Sequence, residues 1–133
     1  MSTTITRNTR SYVDVDFQFS QHPESNNLTL KTNANSVKQS VIHLLMLREG
    51  DKPFHPEISS PVFKYWFENF SVVEKFIVES EIKKYLNLYE PRIEINSIVI
   101  SSSNPNEMDC TILGTIINLQ QPITINTLIE RIR

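Results

Sequence analysis

The feature that most constrains this chain is the tetrapeptide Tyr89-Glu90-Pro91-Arg92, where a long helical pattern meets a strand pattern. Proline disfavours the α conformation in the residue before it, so the helix must stop at or just before Glu90. Its start is equally marked. Ser71-Val72-Val73-Glu74 matches a capping box, with serine at the cap and glutamate three residues on. Between these stops Val78, Ile82, Tyr85, Leu86 and Tyr89 share one face, Phe76 and Ile77 are expected to cover the first turn, and Glu79, Glu81, Lys83 and Lys84 form the solvated side. The stop leaves the Glu90 carboxylate at the negative pole of the helix, where an acid is disfavoured by about 0.3–1 kcal/mol. A cation must therefore sit beside it, either Arg92 or a group on a partner.

Beyond Pro91 the chain alternates with a change of phase. Ile93 and Ile95 point one way, and Ile98 and Ile100 occupy the opposite parity. A β-bulge near Asn96-Ser97 reconciles them. After a turn-rich loop at Ser101 to Asn106, Glu107 to Leu119 reads as a long strand, apolar on both parities and so central in its sheet. Gln120-Gln121-Pro122 makes a turn and a last strand begins at Ile123, although Leu128 to Arg133 also fits a helical coil.

The first half of the chain is less regular. Met1 to Ser11 is polar and aperiodic, as in a flexible arm, and residues 12–133 read as a single domain. Val13, Val15, Phe17 and Phe19 alternate with Asp14, Asp16, Gln18 and Ser20, the pattern of a strand with its apolar side buried. A turn cluster at His22 to Asn27 and a short extended Leu28-Thr29-Leu30 make this a hairpin. Asn33 or Asn35 can cap the next helix, which runs to about Arg48 with Val37, Val41, Leu44 and Leu45 on one face and Gly50 as its stop. Two prolines hold Phe54 extended in Lys52-Pro53-Phe54-His55-Pro56-Glu57, with its ring expected in the core. A short helix from Pro61 to Asn69 would bury some of Val62, Phe63, Trp66 and Phe67. The sum is an α+β fold, mid-chain helices packed on a mostly antiparallel sheet.

Composition narrows the function classes. A net charge of −2 provides no broad electrostatic footprint for nucleic acid, and no apolar run reaches membrane-spanning length. The single cysteine, Cys110, excludes an internal disulfide and a cysteine zinc site, and its strand setting predicts a buried, inert thiol. Two glycines, Gly50 and Gly114, build no phosphate loop, and His22, His43 and His55 share no ligand spacing. Glu57 and Glu90 both neighbour prolines and are the acids a glycosidase would use, but nothing in the sequence demonstrates a cleft between them. The strand edges remain, and edges must be protected or used by a partner chain.

Three segments now align. Val37-Lys38-Gln39-Ser40 through Leu44-Leu45, then Arg48-Glu49-Gly50-Asp51-Lys52-Pro53-Phe54-His55-Pro56-Glu57, and then Tyr89-Glu90-Pro91-Arg92-Ile93 resemble the baseplate wedge and sheath-initiator family of contractile-tailed bacteriophages, shared with the baseplate of type VI secretion systems. Lys52 departs from the arginine usual before Pro-Phe, and Ile58-Ser59 stands where a glycine often follows the second proline. The resemblance implies a structural protein of the virion tail with no catalytic residue, cofactor or metal, assembled in the host bacterial cytoplasm. It implies that Glu90, Pro91 and Arg92, with Lys52, Pro53 and Phe54 beside them, dock on the core bundle of wedge proteins. It also implies that the N- and C-terminal strands template the first ring of tail sheath by strand exchange. No nucleic acid and no membrane insertion are implied. A lysozyme-like activity on Glu57 or Glu90, and a type VI secretion or tailocin particle, are the alternatives.

Overall fold

The computed structural model describes residues 11–65 and 71–130. The expected arm, Trp66 and Phe67 of the short helix, and Ile132 fall outside them. Strand β1 (Val13–Val15) pairs antiparallel with β2 (Leu30–Thr32), and β2 runs directly into helix α1 (Asn33–Met46). A 3-10 turn (Pro61–Lys64), helix α2 (Val72–Tyr89) and the meander β3 (Ile93–Asn104), β4 (Glu107–Ile116), β5 (Gln121–Glu130) follow. The architecture is α+β: α2 lies against β3, α1 against β5, and the two helices touch.

The meander is built as its pattern predicts, with β4 central in the order β3-β4-β5. Alternation sends Met108, Cys110, Ile112 and Ile116 of β4 inward, with Ile98 and Ile125 either side of Ile112. Val37, Val41 and Leu45 of α1 and Val78, Ile82 and Leu86 of α2 close the core over them. Each such side chain contributes about 1.5–3 kcal/mol when fully buried. The phase change in β3 is a register shift between Ile95 and Ser97, which leaves Asn96 as the extra residue of a bulge. Ile93, Ile95, Ile98 and Ile100 thereby all reach the core.

Several expectations are corrected. Strand β4 ends at Ile116, and its outer face is open: Leu113 and Ile117 are exposed, and no described element covers that side. The last strand starts at Gln121 and stays extended to Glu130. Helix α1 has Thr32 at its N-cap with no side-chain bond, because Asn33 uses its Oδ1 to accept from Tyr12 N–H instead. Asn33 takes φ +49°, a left-handed value asparagine tolerates, and this turns strand into helix without a loop. The same helix ends at Met46, and Gly50 (φ +86°) serves a separate turn in which Asp51 N–H donates to Arg48 O. Helix α2 keeps its capping box and its core face, but Phe76 and Ile77 are exposed and do not cover its first turn.

Gly114 is the tightest point of the sheet. It lies opposite Ile95 beside the bulge, and a Cβ there would stand 2.7 Å from Glu94 O and 2.8 Å from Ile93 Cδ1. A backbone carbonyl cannot swing aside as a side-chain tip can. Gly114→Ala is expected to cost about 1–3 kcal/mol as overpacking, measured as a lower urea midpoint with an unchanged slope.

Candidate functional site

Helix α2 ends at Tyr89 with Glu90 as its C-cap, and Glu90 N–H donates to Leu86 O. Two residues on, Arg92 returns its guanidinium to that carboxylate in a fork: Nε to Oε1 at 2.7 Å and Nη2 to Oε2 at 2.9 Å. The cation the helix pole demanded is thus Arg92. Glu90 is 2% exposed, and the Arg92 side chain keeps 22% of its surface in solvent. The surface share of Glu90-Pro91-Arg92 is therefore Pro91 and one side of the guanidinium.

Arg92 does more than neutralise Glu90. Its Nη1 donates to Asp14 Oδ2 at 2.9 Å and to Ser36 Oγ at 3.1 Å, and Ser36 Oγ in turn donates to Asp14 Oδ2. The guanidinium also lies 5.4 Å from the Tyr12 ring centroid, a cation–π distance. One side chain ties β1, the first turn of α1 and the α2–β3 junction together. For Glu90, burial pushes the pKa up, but hydrogen bonds from Arg92 and then Ser40 outweigh it and the net shift is down. For Asp14, the Ser36 and then the Arg92 hydrogen bonds hold the carboxyl below its usual range. The Arg92 guanidinium is pushed up, by Glu90 first, and stays charged.

Asp14, Ser36, Ser40 and Tyr12 were not among the predicted site residues. Asp14 sat on the parity taken as solvated, and that parity is inverted. Asp14 and Asp16 face the protein, Asp16 with 5% exposure and its Oδ2 on Ser20 Oγ at 2.7 Å. Val13, Val15, Phe17, Phe19, Leu28 and Leu30 point outward, each between 41% and 68% exposed. Polar partners on α1 and the Arg92 charge hold the carboxylates in, and they outweigh the apolar burial that alternation alone predicts. The one legible signal was Arg92, which has five donors to satisfy and only one nearby acid in sequence.

The second predicted cluster also differs. Phe54 is not in the core; it is 97% exposed with φ +66°. His55 N–H reaches Lys52 O at 3.3 Å, so Lys52-Pro53-Phe54-His55 is a β-turn with proline second and a positive φ third, the signature of type II. Proline at the second position favours this turn, which points the ring outward rather than back to the core. Lys52 and Pro53 line an open groove of about 490 Å³ with His43, Leu44, Met46, Leu47 and Asp51 at the C-terminal end of α1. The Glu90–Arg92 pair meets the same helix at its other end, through Ser36 and Ser40.

The acids weighed for glycoside cleavage do not form a working pair. A general acid needs a raised pKa. Glu90 is depressed and forked to Arg92, and Glu57 is depressed too, by its own backbone N–H first and His55 second. Glu57 borders a groove with Lys64, Glu81 and Tyr85 that Glu90 does not line. Cys110 is buried, and burial first and Glu79 second push its thiol up to about 12, so it is inert at neutral pH. Among the described residues no helix is long and apolar enough to cross a membrane.

Because both carboxylates are depressed in the fold, their contribution to stability is complete above their unfolded values near 4 and fades as pH falls toward the folded ones. The urea midpoint is expected to drop between about pH 5 and pH 2. Glu90→Gln breaks a buried pair and leaves Arg92 half satisfied, a cost of about 3 kcal/mol at pH 7. It also flattens that acid limb. An unchanged limb would show that the pair is not the titrating element.

Comparison with known proteins agrees with this geometry. A family model described as "Baseplate wedge protein gp25" matches residues 31–121, more than half of the chain. The baseplate wedge protein gp25 of Enterobacteria phage T4 is 34% identical over 59 residues, 44% of this chain and 45% of that protein. The match thus spans less than half of that relative. Two solved structures share the fold at 18% identity. The anti-feeding prophage baseplate superposes with a TM-score of 0.69 over 81% of this chain and 87% of the other. A putative tail lysozyme from Geobacter sulfurreducens does so with 0.65 over 73% and 89%. A buried Glu-Pro-Arg clasp on an α+β frame and a family match across α1, α2 and the sheet lead to one assignment: the chain belongs to the baseplate wedge protein gp25 family and is a structural component of a phage-tail baseplate.

Proposed function

We propose that this protein docks on the core bundle of baseplate wedge proteins through Lys52, Pro53, Phe54, Pro91 and the open side of Arg92, and templates the first ring of tail sheath by strand addition, with no catalytic turnover. In this reading Glu90 is a positioning residue: buried itself, it aims Arg92 and fixes the angle of Pro91. The observation that carries the proposal is Phe54. A phenyl ring in water at 97% exposure, on a residue held at φ +66°, is unfavourable twice over in the isolated chain. Non-glycine residues in the left-handed region cost about 1–2 kcal/mol, and exposed aromatics are what interfaces use as anchors. Both costs make sense if a partner covers the ring.

The sheath part of the proposal rests on β5. Ile100 N–H donates to Glu79 Oε1 at 3.2 Å, which turns Ile100 away from β4. Antiparallel alternation then directs the main-chain groups of Thr124, Asn126, Leu128 and Glu130 to the free side of β5. Pro122 has the same parity, so its missing N–H costs the ladder nothing. Among the described residues nothing pairs with that side, whereas the opposite edge of the sheet has Glu79 against it. A ten-residue edge is long enough to receive a strand.

Two variants separate the parts. Phe54→Gly is expected to raise stability by about 1 kcal/mol, since glycine accepts a positive φ, while purified baseplates lose the protein. Leu128→Lys places a charge on the β5 edge and is expected to give baseplates that contain the protein but carry no sheath. Normal incorporation of Phe54→Gly would sink the docking assignment, and normal sheathing of Leu128→Lys would sink the β5 edge.

A further inference from the structure

The free edge of β1 already holds a substitute for a partner's backbone. Tyr12 O accepts from Asn33 N–H at 2.7 Å, and Asp16 N–H donates to Thr29 O at 3.0 Å, so the even-numbered residues turn their main-chain groups toward β2. Val13 and Val15 therefore turn theirs the other way, to the outer edge. There the Gln39 side-chain amide, reaching up from α1, makes two bonds: its Nε2 donates to Val15 O at 2.9 Å, and its Oε1 accepts from Phe17 N–H at 3.2 Å. A glutamine side chain ends in the same amide group as a peptide bond. It satisfies the two edge groups as a neighbouring strand would, and it does so at the exposed surface, where water could serve them instead. Val13 N–H, Val13 C=O and Val15 N–H remain on the same edge, with no such substitute from α1.

What the edge borders is equally specific. The side chains of Val13 and Val15 point outward beside Leu30, opposite Val15 in register, and the ladder of β1 and β2 is only three residues long on each strand. Two-stranded sheets are marginal by themselves, and a third strand gains the most where one face is apolar and uncovered. On the inner side the edge meets a groove of about 500 Å³ lined by Phe17, Lys38, Gln39, Ile42, His43 and Met46, among others. An added strand would set alternate side chains on the Val13–Val15–Leu30 face and the others toward this groove and Lys38.

We propose that the outer edge of β1 is a receptor for an extended peptide with apolar residues at alternate positions, and that Gln39 is a placeholder which the peptide's backbone displaces from Val15 and Phe17. This rests on the strand-addition reading above, and it adds a second receiving edge together with the residue that gates it. Removing the placeholder should favour the peptide, because two hydrogen bonds no longer have to be broken before it binds. A residue with a merely structural role would behave in the opposite sense.

The test uses the full chain, labelled for amide NMR, with the synthetic peptide Lys-Val-Thr-Val-Thr-Val-Lys as probe. The expected result is exchange protection of the Val13 and Val15 amides and a moved Phe17 amide. Binding should be about three- to tenfold tighter in Gln39→Ala, the effect of one net hydrogen bond or slightly less. Gln39→Glu, which keeps the acceptor for Phe17 and loses the donor to Val15, should fall between wild type and Gln39→Ala. The core amides of β4 report in the same spectra that each variant is folded. Weaker or equal binding in folded Gln39→Ala overturns the placeholder. Protection confined to Asn126 and Leu128 overturns the β1 receptor while the strand-addition reading stands. Protection at neither edge overturns this proposal, and a chain that still initiates sheath in that case preserves the earlier reading by another contact.

Discussion

Arg92 answers two carboxylates that the chain brings from far apart, Glu90 two residues before it and Asp14 near the start of the described chain. Neither acid could stay where it is without that charge. Glu90 sits at the negative pole of an 18-residue helix and is buried, both of which disfavour an anion. Asp14 is turned toward α1, leaving two valines of the same strand in water. The guanidinium suits this role where an ammonium would not, because its planar fork gives Glu90 two parallel bonds and still has Nη1 for Asp14 and Ser36. Proline between the two residues fixes the short span across which the fork closes.

The position of the hairpin follows from this charge. β1 and β2 form their own small sheet, separate from the three-stranded one, and they carry no share of the main apolar core beyond Tyr12 packed at its margin. Polar ties hold them on: Arg92 to Asp14, Asn33 to Tyr12 and Gln39 to Val15 and Phe17. Such ties are individually worth about 0.5–1.5 kcal/mol net, and more where charge assists. They set orientation more than stability. Here the orientation they select is the one that leaves the apolar side of the hairpin uncovered.

How much of this the sequence reveals depends on which force decides each element. The α2 helix, the bulge at Asn96 and the central place of β4 were legible, since local chemistry and core packing agree there: a capping box, a phase change in isoleucines, a strand rich in apolar residues. The Glu90–Arg92 pair was legible in part, from the helix pole alone. Val13 to Phe19 misled because alternation says that two faces differ, not which one is inside, and a distant arginine decides that. Phe54 misled for a related reason. Its neighbours specify a type II turn, and a turn tip on the surface overrides the ordinary preference of a phenyl ring for the core. Asn33 bonded across to Tyr12 rather than capping its own helix, a choice that no local pattern records.

These misreadings share a cause that bears on assembly. A chain selected only for its own stability would bury Phe54 or replace it by glycine, and would turn Val13 and Val15 inward. In this one, the rules that fail are those for apolar burial and backbone strain, and they fail at the turn tip and on the hairpin, both in contact with α1 or the segment after it. The core rules hold throughout the meander and the inner face of α2. Local departures grouped on one side of an otherwise consistent fold are expected where a surface is shaped for contact with another molecule. The rigid meander supplies the frame, Arg92 fixes the hairpin to it, and α1 joins the two departures: its first turns hold the hairpin and its last turn borders Lys52 and Pro53. A load taken up at Phe54 is therefore carried along one helix to the strand edge that Gln39 covers.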